Sequence, residues 1–120
     1  VNYINKKIKK KLNYIFTKNL GHQKYIELIK NSFLLIGNSS SGVIMAPYYK
    51  VPSINIGDRQ EGRIIHKSVL NTNLNKKLII KNIKKIISDR EKFTKKINYQ
   101  LGNGKAEEII ANKLKFILNE

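Results

Sequence analysis

Apolar side chains recur every three or four positions in four parts of the chain, a spacing that predicts amphipathic helices. The first predicted helix opens the chain, the second ends near Asn31, and two longer ones lie in the second half. Their apolar faces consist of Ile4, Ile8, Leu12, Tyr25, Ile26, Leu28, Ile29, Ile79, Ile83, Ile86, Ile87, Ala106, Ile110, Leu114, Ile117 and Leu118. The last helix has a favourable entry, because Asn103-Gly104 precedes it and Glu107 and Glu108 lie near the positive end of its dipole.

Three short segments rich in apolar residues predict strands between these helices. They are Tyr14–Phe16, Phe33–Ile36 and Val51–Ile56, and the last two stop at Gly37 and Gly57. Phe33–Ile36 is apolar throughout, which is typical of a parallel strand that is covered on both faces. The sequence therefore predicts a buried sheet of about three strands.

The segments between the strands complete the predicted fold. A short helix is expected through Val43 and Ile44, limited by Pro47, whereas Val69-Leu70 is only a brief apolar segment. Alternating strands and helices imply an α/β fold with a Rossmann-like parallel sheet. Three strands are few for such a fold, and the chain opens with Val1 rather than methionine. We therefore expect residues 1–120 to form a single, incomplete domain of a longer protein.

Composition narrows the class of protein. Hydrophobic residues make up 41% of the chain and charged residues 27%, which is ordinary for a globular protein. No apolar run approaches the roughly 20 residues that span a bilayer, so no membrane association is expected. Cysteine is absent, which excludes disulfides and thiolate metal sites and fits a cytoplasmic location. His22 and His66 lack partners at ligand spacing, so we expect capping or surface roles for them and no metal or other cofactor.

The formal net charge of +16 raises the question of a nucleic-acid partner. Only three of the 24 basic residues are arginines, and the lysines are spread along the chain. Aromatic residues are not interleaved with them as they are in a base-stacking surface. The pattern favours solvated lysine faces and makes a nucleic-acid partner unlikely, while an acidic surface or partner stays an alternative.

The loop Gly37–Gly42 follows the second predicted strand and precedes the short helix. Ligands of open α/β sheets bind beyond the carboxyl ends of the strands. Small residues let an anion approach the backbone, and the free N–H groups and serine hydroxyls at a helix start can hold phosphate. The alternative is a turn in which a serine only caps the helix.

A second polar segment, Asn55–Arg63, follows the third predicted strand and carries Arg59 and Arg63, two of the three arginines. The planar guanidinium suits phosphate oxygens better than a lysine ammonium does. The alternative is a surface loop in which Arg59 pairs with Asp58 or Glu61.

The two segments contain long motifs that resemble those of the hydrolysing UDP-N-acetylglucosamine 2-epimerases. The likeness is greatest to the branch that makes N-acetylmannosamine-type sugars for sialic and related nonulosonic acids, and it covers nearly the whole chain. The matching motifs are Gly37-Asn38-Ser39-Ser40-Ser41-Gly42-Val43-Ile44, Ala46-Pro47, Val51-Pro52 and Asn55-Ile56-Gly57-Asp58-Arg59-Gln60-Glu61-Gly62-Arg63, with position 61 free to vary.

This resemblance implies part of the C-terminal domain of a GT-B-type enzyme with two Rossmann domains. Such enzymes eliminate UDP to give a 2-acetamidoglucal intermediate and then add water, without metal or nicotinamide. Ser39 and Ser40 would contact the diphosphate, with Ser41 and Gly42 in the same loop. Arg59 would add positive charge beside the nucleotide, and the backbone of Leu20 would contact the uracil.

The sequence also departs from the family. Met45 replaces a glutamate whose carboxylate accepts hydrogen bonds from the ribose hydroxyls in the family, a loss of about 1.5–3 kcal/mol. The family's catalytic carboxylates and histidine lie outside the matched region, so we expect no catalytic residue here and no activity of the chain alone. The expected partners are UDP or a UDP-sugar, a missing N-terminal domain and a second copy of the chain. An inactive remnant, another GT-B glycosyltransferase and a basic binding protein remain alternatives.

Overall fold

A computed structural model describes residues 13–95 and 104–118. The predicted opening helix through Ile4, Ile8 and Leu12, and the Asn103 entry to the last helix, lie outside these residues. In chain order the elements are α1 His22–Lys30, β1 Leu35–Gly37, α2 Ser40–Val43, α3 Met45–Tyr48, β2 Ser53–Ile56, β3 Val69–Thr72, α4 Lys76–Ser88, α5 Arg90–Thr94 and α6 Ala106–Leu118.

The three strands form one open, parallel sheet in the order β1-β2-β3. Leu35 pairs with Ser53 at the start of β1, and Gly37 pairs with Asn55 at its end. On the other side of β2, Asn55 also pairs with Asn71. The prediction of an α/β fold with a Rossmann-like parallel sheet is confirmed.

The two faces of the sheet differ because successive residues of β2 point in opposite directions. Buried Ser53 donates its hydroxyl hydrogen to the carbonyl oxygen of Gly42 in α2 on one face. Buried Ile54 packs with Ile86 of α4 and Phe93 of α5 on the other face. Full burial of an isoleucine side chain contributes about 2 kcal/mol. Helices on both faces therefore hold the sheet in place.

The predicted helices near residues 25–31, 79–87 and 106–118 are confirmed as α1, α4 and α6. A second buried cluster of Ile29, Ala46 and Val51 joins α1 to α3. Asn75 begins α4 by accepting hydrogen bonds from the N–H groups of Lys77 and Leu78 with its side-chain oxygen. Within the described residues, no helix combines the length and apolar character needed to cross a bilayer.

One of the three predicted strands was assigned to the wrong segment. Tyr14–Phe16 is irregular and exposed, and Ile15 is 95% accessible. The third strand is instead Val69–Thr72, of which only Val69-Leu70 is apolar. An edge strand needs few apolar residues because it pairs with one neighbouring strand only, and an apolar triplet is too short a pattern to define a strand by itself.

Pro47 limits the short helix after β1 about one turn earlier in the chain than the sequence predicted. The helix that was predicted to pass through Val43 and Ile44 up to Pro47 ends at Val43, and Pro47 lies within a separate helix, α3. Proline has no N–H to donate to the carbonyl four residues before it, which is that of Val43, and its ring crowds that group. In the first turn of α3 the missing N–H costs nothing, since such groups have no intrahelical acceptor.

Lys50 ends α3 in a left-handed conformation with φ of 58°. Its N–H donates to the carbonyl of Pro47 at 3.0 Å, and the N–H of Val51 donates to Ala46 at 2.8 Å. This is a Schellman motif, and Val51 and Ala46 also pack together in the buried cluster. Glycine is the usual residue at this position because a Cβ is strained there.

We expect Lys50→Gly to raise the free energy of unfolding by about 1 kcal/mol, because it relieves the strain of a left-handed residue that carries a Cβ. Urea denaturation of the chain measures the change. Lys50→Ala is the matched control, since it removes the charge and keeps the Cβ. Equal stability of the two variants would contradict this explanation.

Candidate functional site

The carboxyl ends of all three strands meet at one edge of the sheet. Two segments extend from this edge, the serine loop Gly37–Gly42 after β1 and the arginine loop Gly57–Arg63 after β2. Because Gly37 pairs with Asn55, the two loops leave neighbouring strands side by side. This edge is where ligands of open α/β sheets bind.

The two loops share a cleft of about 410 Å³. Gly37 and Asn38 come from the serine loop and Arg59 from the arginine loop, so the structure brings the predicted arginine next to the start of the serine run. The full lining is Gly37, Asn38, Ile56, Gly57, Asp58, Arg59 and Leu74. Ser39, Ser40 and Ser41 follow directly on this lining and lead into α2.

Some backbone amides of the serine loop are used internally and others are free. The side chain of Ser39 caps α2 by accepting a 3.3 Å hydrogen bond from the N–H of Ser41, and the N–H of Gly42 donates to the Ser39 carbonyl at 3.0 Å. The N–H groups of Ser39 and Ser40 have no acceptor in the described part of the chain. Two adjacent amides therefore remain available to an anion, although a serine also caps the helix.

Gly42 lies against the sheet. A Cβ built on it would stand 3.7 Å from Cδ2 of Leu35 and 3.9 Å from Cβ of Ser53. Its N–H and carbonyl are both occupied, by Ser39 and Ser53. Glycine lets α2 approach the strands closely, and direct contact of Gly42 with UDP stays a prediction.

Arg59 is exposed and free of local ion pairs. Among residues 13–95 and 104–118, Lys95 and Glu91 form the ion pair, and Arg59 has none with Asp58 or Glu61. The guanidinium at the cleft is therefore available to a ligand. Binding of an anion by this guanidinium does not require an existing ion pair with a carboxylate to be broken first.

Two buried carboxamides at this edge were given no role by the sequence analysis. Gln60 is 3% exposed and donates from Nε2 to the carbonyl of Asn38 at 2.8 Å. Asn55 is 5% exposed and donates from Nδ2 to Oδ1 of Asn71 at 3.0 Å. Oε1 of Gln60 and Oδ1 of Asn55 are buried without partners. Each such oxygen costs about 1–3 kcal/mol. In the sequence, the one indication that these two residues belong to the site was their position in the same motif as Arg59.

Leu20 lines a different cleft, of about 480 Å³, at the start of α1. Asn19 shapes it by accepting a 2.8 Å hydrogen bond from the N–H of Gly21. The lining is Thr17, Lys18, Asn19, Leu20, Gly21, His22 and Tyr25, and it shares no residue with the cleft at Arg59. The predicted uracil contact therefore lies apart from the predicted diphosphate contacts.

Met45 is half-buried at the start of α3. It packs against the buried cluster of Ile29, Ala46 and Val51. Its side chain thus adds to the core, and its thioether offers no strong hydrogen-bond acceptor at this position.

His66 shapes the turn that precedes β3, as the expected capping role requires. Its Nδ1 accepts the N–H of Ser68 at 3.1 Å and lies 2.9 Å from the Ser68 hydroxyl. Burial, and to a lesser extent the charge of Lys67, lowers the pKa of His66 below its usual 6.5. Protonation at Nδ1 would remove the acceptor that Ser68 uses.

We therefore expect the His66 turn to weaken in acid. The folded-state pKa lies below the unfolded value of 6.5, so the neutral ring stabilises the fold above that pH and this contribution is lost as the pH falls through the folded-state pKa. Urea denaturation between about pH 7 and about pH 5 measures it. In His66→Asn, whose side-chain oxygen accepts the same N–H without titrating, the loss should be smaller, and identical pH profiles would contradict the assignment.

Comparison with known proteins identifies the relatives of the chain. The profile of the family described as UDP-N-acetylglucosamine 2-epimerase matches residues 2–115. The chain belongs to this family. The match confirms the resemblance carried by the serine and arginine loops.

Three relatives illustrate the similarity. GDP/UDP-N,N'-diacetylbacillosamine 2-epimerase (hydrolyzing) of Campylobacter jejuni is 49% identical over 57 residues, which are 48% of this chain and 15% of that protein. Polysialic acid biosynthesis protein P7 of Escherichia coli is 49% identical over 71 residues, 59% of this chain and 18% of the relative. UDP-N,N'-diacetylbacillosamine 2-epimerase (hydrolyzing) of Legionella pneumophila is 29% identical over 102 residues, 83% and 26% of the two chains. The matches cover at most 26% of these relatives.

Proposed function

We propose that this chain is the UDP-binding part of a hydrolysing UDP-N-acetylglucosamine 2-epimerase. The observation that supports it most is the free guanidinium of Arg59 beside the serine loop, in a chain of this family. The complete enzyme would release UDP and an N-acetylmannosamine-type sugar. The relatives from Campylobacter jejuni and Legionella pneumophila both carry names with a UDP-linked sugar and a 2-epimerase activity, which supports this substrate class.

The proposed site works by electrostatics. The free N–H groups of Ser39 and Ser40 and the hydroxyl of Ser41 donate to diphosphate oxygens, while Arg59 supplies a planar, permanently charged fork. Elimination places negative charge on the departing UDP, so donors fixed before the reaction stabilise the transition state as well as the product. The backbone of Leu20 contacts the uracil in its separate cleft.

A second domain must complete the active site in this proposal. The proton transfers of elimination and hydration need an acid and a base within hydrogen-bond reach of the sugar. The carboxylates of the arginine loop, Asp58 and Glu61, are exposed and belong to the nucleotide side of the cleft. We therefore propose that the chain binds UDP and is inactive by itself.

Removing the guanidinium should weaken UDP binding. We expect Arg59→Ala to raise the Kd for UDP by about ten- to a hundredfold, the effect of losing hydrogen bonds to a charged partner. The Kd of Arg59→Lys should lie between those of the unaltered chain and of Arg59→Ala, because an ammonium keeps the charge but lacks the planar pair of donors. Isothermal titration calorimetry of the 120-residue chain with UDP measures both.

The matched control for this titration is Arg90→Lys. Arg90 lies over the ring of Phe33 at 5.1 Å and donates to its carbonyl, away from the arginine loop. The Arg90→Lys variant should therefore bind UDP with the same Kd as the unaltered chain. Absence of heat with the unaltered chain at about millimolar UDP would refute the proposed function.

Met45 should make the site indifferent to the ribose 2'-hydroxyl. We expect UDP and 2'-deoxy-UDP to bind this chain with similar Kd, because a thioether is a poor acceptor. Met45→Glu should favour UDP by about tenfold, the value of a hydrogen bond to a charged group. The ratio of the two Kd values is the measurement, since it cancels any loss of stability from placing a carboxylate against the core.

The contrary result would also be informative for function. A chain that already prefers UDP strongly would contradict the role given to position 45. A variant whose ratio stays near one would favour a degenerate, inactive remnant over a working subunit.

The net charge of +16 supports a second candidate, a binder of nucleic acid or acidic surfaces. Its affinity would fall steeply with salt and would not change with UDP. Titration of the chain with a short DNA duplex at two salt concentrations, with and without UDP, separates the two functions.

A further inference from the structure

Gln60 stands apart from the rest of the arginine loop. Its neighbours Arg59 and Glu61 are exposed, whereas Gln60 is only 3% accessible. Its Nε2 reaches across to the serine loop and donates to the carbonyl oxygen of Asn38 at 2.8 Å. The two residues are 22 positions apart in the chain, so this bond joins the two loops of the site.

The acceptor of this bond has a direct consequence for the anion site. The carbonyl of Asn38 and the N–H of Ser39 belong to the same planar peptide unit, in which the two groups point in opposite directions. A hydrogen bond that holds the carbonyl therefore also aims the N–H. It polarises that N–H as well, because hydrogen bonds in a chain strengthen one another.

The position of Gln60 in the sequence also connects it to Arg59. It follows Arg59 directly, so the anchored side chain also limits where the backbone of Arg59 can lie. The turn around it is closed by hydrogen bonds from the N–H of Glu61 to Asp58 at 2.7 Å and from the N–H of Arg63 to Gln60 at 3.3 Å. One buried carboxamide thus relates the free amide of Ser39 to the guanidinium of Arg59.

We infer that Gln60 is a positioning residue for the diphosphate, holding the Ser39 amide and the Arg59 guanidinium on the same anion. This inference rests on the proposed function. A role in packing alone would be served as well by an apolar side chain of the same length. Such a side chain would also avoid the cost of burying Oε1 of Gln60 without a hydrogen-bond partner, so packing alone does not explain a glutamine here.

Gln60→Met tests this role, because methionine has a similar volume and length but no donor. We expect Kd for UDP and for inorganic pyrophosphate to rise by about five- to twentyfold. Kd for uridine, which lacks phosphate, should stay unchanged within about twofold. The unfolding midpoint in urea should also stay close to that of the unaltered chain, since the variant loses one bond and one unpaired oxygen together.

A double-mutant cycle with Arg59→Ala identifies the residue through which Gln60 acts. If Gln60 positions Arg59, then Gln60→Met should change pyrophosphate binding much less in the Arg59→Ala chain than in the unaltered one. Amide hydrogen exchange of the ligand-free chain gives an independent measurement. Exchange at Ser39 and Arg59 should rise together in Gln60→Met, while that of Ile54 in β2 stays as before.

The outcomes separate the two hypotheses. If the unaltered chain does not bind UDP, the proposed function is wrong, and hydrogen exchange alone decides whether Gln60 couples the loops. If the unaltered chain binds UDP and Gln60→Met binds it equally well, or loses uridine by the same factor, the inference is wrong. Should Gln60→Met unfold the chain, Gln60→Asn, which keeps the carboxamide but is too short to reach Asn38, gives the same comparison. Unfolding of both variants would make Gln60 a core residue and overturn the inference.

Discussion

The site depends on the parallel pairing of β1 with β2. Gly37 lies beside Asn55 in the register of the sheet, so the serine and arginine loops begin at neighbouring points and extend from the same edge. The serine loop contributes the free amides of Ser39 and Ser40, and the arginine loop contributes the guanidinium of Arg59. A slip of one residue in this pairing would turn each side chain of β1 to the opposite face of the sheet and would move the serine loop away from the arginine loop. The buried clusters on both faces hold that register.

Polar side chains are buried at this edge in spite of their cost. Asn55 and Gln60 each leave one oxygen unpaired, at about 1–3 kcal/mol, while Ile54 beside them contributes about 2 kcal/mol by its burial. Apolar residues at the same positions would remove the unpaired oxygens of Asn55 and Gln60 but would also lose the hydrogen bonds that their amide groups donate. The hydrogen bond of Asn55 to Asn71 joins the ends of β2 and β3, and that of Gln60 to Asn38 joins the arginine loop to the serine loop. At this edge, buried hydrogen bonds rather than apolar contacts therefore define how the two loops lie relative to each other.

Much of the fold was predictable from the sequence, because periodicity reports burial directly. α1, α4, α6 and the strands that end at Gly37 and Ile56 follow from apolar spacing. β3 did not, since an edge strand with Asn71 and Thr72 carries almost no apolar pattern. The apolar triplet Tyr14–Phe16, by contrast, forms no strand in the part of the chain that the structure describes. The loops of the site were predictable from glycine, serine and arginine chemistry. The burial of Gln60 was not, because a carboxamide in a polar segment looks the same whether it faces solvent or Asn38.

The structure treats the two ends of the proposed nucleotide differently. At the proposed diphosphate end, Arg59, which has no ion pair among the described residues, lines one cleft with Gly37 and Asn38, and the free amides of Ser39 and Ser40 follow next in the chain. At the ribose end, Met45 packs into the cluster of Ile29, Ala46 and Val51, where a carboxylate would have to be desolvated or turned outward. If UDP binds here, the ribose then adds little to its affinity. Such binding is electrostatic and falls with salt, whereas a ribose-reading carboxylate would add selectivity that salt does not screen. The same sheet edge can therefore retain affinity for the charged group while losing discrimination for the sugar that carries it.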